Sequence, residues 1–397
     1  MSNWLPLIAT LFIQAMVAMA LLTLPVMAPV AAKALDISPA LVGFYIAITY
    51  AGAMLASLSS GTTVSRLGPI RVSQWGLLLC ALGLSLCAVP YLPVIALGAF
   101  LIGLGYGPIT PASSQILART TPPDQMALVF SIKQTGVPVG AMMAGALVPT
   151  MMLNIDWQMS LLVVALACLI SAALAQLMRQ STDDQRQPGL PFEMGTLTRP
   201  IRMVLGHRNL ATMATCSFMF SIVQLSLTTY LVTYLYNDLS YGMVSAGLLL
   251  SVTQFGGIGG RIAWGVVSDR WLGAPKTLAL LACIMALSAL VTALLLPTLP
   301  LWGIWITLIA FGASAIGWNG VYLAEVARQA PAGKASMATG GTLTFTFLGA
   351  VVGSPIFGML SSLFGTYQAG FLALALPSCV CAWMLMSLKN KPTLSHE

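Results

Sequence analysis

The sequence predicts an all-α membrane protein, twelve transmembrane helices arranged as two six-helix bundles. Three observations support this. Only 7% of the 397 residues are charged and 58% are apolar, against about 25% charged in a soluble domain, so most of the surface has to face lipid. Twelve apolar runs approach the ~20 residues a helix needs to cross the hydrocarbon core. The basic residues gather on one side of those runs.

The first six runs lie at 5–28, 39–61, 72–91, 93–117, 127–151 and 157–178. The last six lie at 209–236, 242–267, 277–296, 300–325, 336–363 and 367–388. No period-2 alternation marks them, which argues against a β-barrel. Backbone polar groups in lipid have to be satisfied within the segment, so the runs are expected to be helices. The expected units are a bundle over 1–178, a polar linker over 179–208, and a bundle with a short tail over 209–397. Met1-Ser2-Asn3-Trp4 enters the first run without a basic leader, which predicts a retained span rather than a signal peptide.

Orientation follows from Lys and Arg. Fourteen of the 17 fall on one face, from Arg66 and Arg71 through the linker to Lys389 and Lys391. Lys33 falls on the other face, and Lys133 and Arg261 fall inside spans. The positive-inside rule then places both termini and the linker in the cytoplasm, with the chain in the inner (cytoplasmic) membrane. The net charge of +7 is too dispersed to form a nucleic-acid patch. The seven Cys sit in apolar runs, away from the two His. They are expected to be small buried apolar residues, without disulfides or metal.

The two halves repeat. Gly61-Thr-Thr-Val-Ser65-Arg66-Leu67-Gly68 follows the second run, and Gly265-Val-Val-Ser268-Asp269-Arg270 closes the eighth. Ala118-Arg119-Thr-Thr-Pro122 and Ala327-Arg328-Gln-Ala-Pro331 close the fourth and tenth. Two such halves joined by a polar linker are the mark of a parallel-repeat carrier with its site between the halves. These residues resemble the major facilitator superfamily, whose loop signature is G-x-x-x-D-R-x-G-R. The first copy here has Gly61, Ser65, Arg66, Gly68 and Arg71, with Ser65 where the acid is usual. The second keeps Gly265, Asp269 and Arg270. The resemblance implies that Gly61, Arg66, Gly68, Gly265, Asp269 and Arg270 form a conformational gate, tying helix ends in the outward-open state.

A narrower resemblance lies in Gly260-Arg261-Ile-Ala-Trp-Gly265, which is similar to the arginine-bearing span eight of monocarboxylate transporters. By that match Arg261 engages a substrate carboxylate. The acid expected one turn earlier is Gly257 here, so proton symport by that route is in question. Ser131-Ile-Lys133-Gln134-Thr135-Gly136-Val-Pro138-Val-Gly140 resembles a run of bacterial organic-acid facilitators.

An ionisable group inside a span costs about 2.5–3.5 kcal/mol on the gentler scales, so Lys133 and Arg261 need a reason to be there. Each lies about 10 Å deep at 1.5 Å per residue, one in each half. An anion between them would bridge the halves, the Arg fork gripping a carboxylate and the Lys acting as a point charge. The structural alternatives are snorkelling for Lys133 and a pairing with Asp269 or a helix gate for Arg261.

All ten acids fall in loops, the linker, a terminus or a span end. Two interior bases with no interior acid favour an anionic substrate, accompanied by a proton or exchanged for a counter-anion. Glu325, at the end of span ten, is the candidate coupling acid, with pairing to Arg328 as its structural alternative. Gln14, Tyr45, Tyr106, Gln134, Gln224, Tyr230, Gln254, Trp318 and Asn319 are candidate cavity residues, each with helix–helix contact as the alternative. Trp318 and Asn319 are preferred, at a depth matching Arg261. Gly256, Gly257, Gly259 and Gly260, with Gly136, Gly140, Gly145, Gly349 and Gly353, are expected where helices approach closely, whether to pivot or simply to pack.

The expected function is transport of a small organic anion, a monocarboxylate first, by a monomer without cofactor or metal. Its substrate-binding residues are Lys133, Arg261, Asn319, Trp318, Gln134, Tyr106, Gln224 and Gln254. A proton-driven exporter of hydrophobic compounds and a transporter-like membrane sensor are the alternatives. No catalytic triad or phosphate loop is legible, so an enzyme is not expected.

Overall fold

The computed structural model describes residues 4–121, 126–184, 187, 198–331 and 335–387. Met1 to Asn3, Pro122, Asp124, Arg186, Glu193, Lys334, Lys389, Lys391, His396 and Glu397 lie outside these ranges. Among the described residues the regular structure is helical throughout. Eleven helical stretches are long and apolar enough to cross a membrane. The twelfth crossing is span five, divided at Thr135 into two shorter helices. The twelve-helix expectation therefore holds.

Spans one to three are α1 (Leu5–Val26), extended by α2 (Ala28–Ala34), then α3 (Val42–Leu67) and α4 (Pro69–Cys87). Span four is α5 (Leu92–Tyr106) and α6 (Ile109–Thr120), span five is α7 (Met126–Gln134) and α8 (Gly136–Met151), and span six is α9 (Trp157–Thr182). The linker holds α10 (Thr198–Leu205). The second half runs through α11 (Arg208–Asn237), α12 (Met243–Val267), α13 (Ala274–Leu294), α14 (Leu301–Ala315) with α15 (Asn319–Gln329), α16 (Ala335–Phe364), and α17 (Tyr367–Ala373) with α18 (Ala375–Met386).

Several expectations change in detail. Span two does not end before Gly61; α3 continues to Leu67, so Gly61, Ser65 and Arg66 lie on helix rather than in a loop. The stop is Gly68, at φ +93°, a conformation that disfavours any residue with a Cβ. Pro69 then opens the next helix, where its missing N–H costs nothing. The same device recurs in the second half: α12 passes through a π-helical turn, Ser268–Leu272, and stops at Gly273, at φ +75°. The repeat thus extends to the turn glycines. The polar linker includes α10, which packs on α16. Cys283 and Cys379, expected to be buried, are exposed on the outer surface of α13 and α18; all seven Cys are free thiols.

The outer surface is apolar. Leu177 is 81% exposed, Leu363 77% and Leu376 71%, a distribution stable only against lipid. The interior packs through small residues. A Cβ on Gly140 would stand 2.1 Å from the Ala15 carbonyl, and one on Gly349 would stand 2.2 Å from the Phe218 carbonyl. These close approaches fix spans one against five and seven against eleven. Two contacts join the halves along their length, α3 with α16 and α8 with α12.

Candidate functional site

The site begins with a break in span five. Pro138 has no N–H, so the Gln134 carbonyl four residues earlier has no helical donor. The helix parts at Thr135, between α7 and α8. Arg261, on α12 of the other half, donates to that carbonyl through Nη1. Its Nε donates to the Ile316 carbonyl at 3.2 Å, and Ile316 lies in the break between α14 and α15. Free carbonyls at membrane depth need partners, and Arg261 supplies donors to two broken spans at once.

Lys133, on the last turn of α7, is buried, with 1% exposure. Its ammonium donates to Gln14 Oε1 at 3.1 Å and Thr110 Oγ1 at 3.4 Å. Thr110 also donates to Gln14 Oε1 at 3.1 Å. The partners of both bases are neutral: neither has a carboxylate within 4.0 Å among the described residues, whose ion pairs all lie elsewhere. Lys133 and Arg261 are within electrostatic reach of each other, and Tyr106 is within reach of Arg261. Tyr106 packs edge-on against Tyr50 at 6.1 Å, and Tyr50 meets Phe347 of the other half at 6.1 Å.

The remaining predicted residues form a second cluster. Trp318 Nε1 donates to Gln224 Oε1 at 3.0 Å, and Asn319 Nδ2 reaches the same oxygen at 3.4 Å. Trp318 is fully buried, 5.3 Å from the Phe220 ring and 5.1 Å from the Tyr322 ring. Asn319 is half-buried. Gln254 donates to Thr228 Oγ1 at 3.3 Å. This cluster lies within the second half and is linked to Arg261 through the span-ten break, which ends at Trp318.

The other predicted residues sit at the linker end. Glu325 is buried, pairs with Arg328 and accepts from Gln329 Nε2 at 2.8 Å. With Asp269, Arg270 and Arg328 it lines a recess of about 410 Å³. Asp269 and Arg270 are exposed, and no ion pair within 4.0 Å joins them or Arg66 to another described residue.

One group, Asp183, is not singled out by the sequence. Asp183 accepts from the Ile70 and Arg71 N–H groups at 2.9 and 3.0 Å, so an acid from the end of span six caps the turn where Ser65 replaces the usual Asp. A Cβ on Gly68 would stand 2.3 Å from the Asp183 carboxyl carbon. An acid closing the last turn of a span was the available signal. Tyr230, a candidate cavity residue with helix–helix contact as its alternative, takes that alternative: it lies between the halves at the end away from the linker. Its hydroxyl is 2.8 Å from the Ala40 carbonyl and 2.9 Å from the Ser354 carbonyl.

The fold is shared with known carriers. A crystal structure of the nucleoside transporter NupG aligns with a TM-score of 0.79 at 16% identity, covering 97% of this chain and 99% of that one. A bacterial homolog of the human lysosomal transporter Spinster, inward-facing and occupied, aligns at 0.72 and 14% identity, covering 96% and 95%. Among curated proteins, the benzoate transport protein of Acinetobacter baylyi is 23% identical over 384 residues, covering 88% of this chain and 82% of the relative. Probable anion transporter 6 of Oryza sativa subsp. japonica is 25% identical over 321 residues, 73% of each chain. The family model of the Major Facilitator Superfamily matches residues 7–349. Read with the twelve crossings and the repeated turn glycines, that match identifies this multi-pass membrane protein as a member of the major facilitator superfamily of transporters.

Proposed function

We propose that the protein is a secondary active transporter that moves a small organic anion, a monocarboxylate first, by alternating access. The observation that carries the reading is the pair of bases. Lys133 from the first half and Arg261 from the second converge on the span-five break, Arg261 donating to the carbonyl of the residue after Lys133, and the hydrogen-bond partners of both are neutral. Two cations in a low-dielectric interior repel each other and are poorly solvated. An anion bound between them relieves both penalties, and Arg261 exchanges a carbonyl for a carboxylate. Because Arg261 ties the halves through Gln134, that exchange loosens the tie as substrate binds. The names of the benzoate and anion-transporter relatives agree with this chemistry. Tyr50, Tyr106 and Phe347 suit a substrate with an aromatic body. The asymmetry of Lys and Arg supports a cytoplasmic linker and termini in the inner membrane.

The test is uptake of labelled benzoate, acetate and lactate into proteoliposomes, with and without a pH gradient. Wild type is expected to accumulate at least one of them, and Lys133→Ala and Arg261→Ala are each expected to lower the rate more than tenfold. Dependence on the gradient identifies a co-transported proton; dependence on internal anion identifies exchange. Full transport by both variants would sink the two-base reading and leave the exporter of hydrophobic compounds as the leading alternative.

A further inference from the structure

We infer that Gln14 is a substrate ligand: its side-chain amide donates to the anion held at Lys133. The inference rests on the anion-transport reading and assigns part of the binding chemistry to span one.

Gln14 lies near the middle of α1 and is fully buried. Its two ends are in different situations. The oxygen accepts from Lys133 Nζ at 3.1 Å and from Thr110 Oγ1 at 3.1 Å. The nitrogen Nε2 is buried and has no hydrogen-bond partner. Chemistry fixes this orientation. An ammonium can only donate, so the amide oxygen has to face it and the NH₂ group has to face away. Turning the amide over would set its NH₂ donors against the ammonium.

Most other partnerless buried side-chain oxygens here are Ser or Thr hydroxyls on helices. Those can rotate to a carbonyl one turn back along their own helix. A primary amide at the end of a two-carbon stem, already held by its oxygen, has no such alternative. The stem is also held in place. A Cβ on Gly136 would stand 2.9 Å from Gln14 Cβ and 3.1 Å from Cγ, so the start of α8 presses directly on it. An orphaned donor in a membrane interior is an unfavourable arrangement, and this one is fixed beside an uncompensated ammonium.

The two groups together describe their ligand. Lys133 has three N–H bonds and uses two, on Gln14 and Thr110, leaving one. Gln14 offers two more from Nε2. A carboxylate has two oxygens with several lone pairs and can accept from both groups at once. A halide lacks the planar pair of acceptors, and a neutral hydrophobic compound has nothing to match the charge. The second-half Arg261 then meets the same carboxylate from the opposite side. In this arrangement Gln14 orients the carboxylate, and the rest of the substrate is presented to the second half.

The test uses the full-length carrier in proteoliposomes with labelled benzoate and acetate, together with melting curves in detergent with and without each anion. Gln14→Met removes the donor, together with the oxygen that accepts from Lys133 and Thr110, and keeps the volume. It is expected to raise KM at least tenfold with Vmax within about twofold and to diminish the anion-induced rise in Tm, while the loss of the Lys133 acceptor lowers the Tm of the empty carrier. A purely structural Gln14 gives a different pattern: reduced Vmax with KM unchanged and an undiminished anion-induced rise in Tm, which overturns the inference. Gln14→Glu keeps both contacts to Lys133 and Thr110 and replaces the donor by an acceptor, so it is expected to fold and to lose anion uptake. Uptake by Gln14→Glu at the wild-type KM overturns the inference even if the Met variant is unstable. If the wild-type protein moves no carboxylate, the transport reading itself fails and this inference with it. Wild-type uptake with unaltered Gln14 variants removes Gln14 alone.

Discussion

The two ends of the molecule are held in different ways. At the end away from the linker the two halves grip each other. The Tyr230 hydroxyl sits between the Ala40 carbonyl of the first half and the Ser354 carbonyl of the second. A Cβ on Gly43 would stand 2.4 Å from the Ser354 carbonyl, and one on Gly358 2.5 Å from the Ala40 carbonyl. At the linker end, these bonds stay within one half or join it to the linker: Asp183 caps α4, Arg119 pairs with Asp184, the Gln187 backbone N–H donates to the Ser65 carbonyl at 2.8 Å, and Asn209 donates to Gln329. An alternating-access carrier closes one end at a time, and this conformation is closed at the end away from the linker. The closed end relies on backbone proximity and neutral hydrogen bonds, whereas the linker end adds the charged groups Asp183, Arg119 and Asp184 to its neutral bonds. Close packing without charge suits a contact that forms and parts within a membrane, because no ion has to be desolvated each cycle.

The largest expected effect breaks the gripped end. A side chain at Gly43 has no room while the halves touch, since its Cβ would also meet Tyr230 Oη at 2.2 Å. Gly43→Val overpacks that contact by about 1–3 kcal/mol, a shift of roughly tenfold to a hundredfold toward the conformation open at this end. Spin labels at the outer ends of spans one and seven should report a longer distance, and uptake should fall in proportion. An unchanged distance distribution would mean that the contact is not the closure.

Next in size is Asp183→Ala. It removes a carboxylate that accepts two helix N-terminal N–H groups, a loss of about 0.5–2 kcal/mol for caps of this kind. Because the bonds lie within the first half and its linker, the effect should appear as a lower Tm. The spin-label distances and KM should hold. A shift in those distances would show that the linker end also sets which end is open.

The contrast between the ends also explains what the sequence could and could not reveal. Span positions were legible because lipid demands long apolar runs, and the Lys and Arg asymmetry survives any error in their boundaries. Lys133 and Arg261 stood out because a charge inside an apolar run is costly. Their partners did not stand out. The Gln134 carbonyl is backbone, freed by a proline four residues later, and a hydropathy reading passes over Thr135 as though span five were continuous. Gln224, Trp318 and Asn319 were named as candidates, but their convergence on one amide oxygen depends on a crossing of α11 with α15 that no local pattern encodes. Asp183 was read as part of a polar linker because its two acceptors' donors lie more than a hundred residues away. Tyr230 looked like any aromatic in a span. Charge violations are written locally; hydrogen bonds to a distant backbone are not.

Tyr230→Phe sharpens the comparison from the closed side. It keeps the ring on Phe357, at 4.5 Å, and removes only the hydroxyl. The expected loss is about 0.5–1.5 kcal/mol, a population change of up to roughly tenfold toward the open end, and smaller than for Gly43→Val because the backbones still fit. A faster opening rate with unchanged Tm would agree. If Tm falls while the distances stay fixed, the hydroxyl serves packing within the second half rather than closure.

The smallest effect is expected where charge is most visible. Arg119 and Asp184 meet at 2.7 Å, but their side chains are 30% and 54% exposed. An exposed pair contributes about 0.2–1 kcal/mol, and salt screens it over a Debye length of about 8 Å at physiological ionic strength. Arg119 also donates to the Thr182 carbonyl at 3.0 Å, a bond that salt weakens less. Asp184→Asn therefore removes the charge and leaves Arg119 anchored to the helix end. Its Tm should sit within a degree or two of wild type at low salt and coincide with it near 0.5 M salt. Arg119→Gln loses both contacts and should keep a small deficit at high salt. If Asp184→Asn instead changes uptake more than Tyr230→Phe does, the linker's charges take part in the transport cycle, and the division between a working end and a fastened end is wrong.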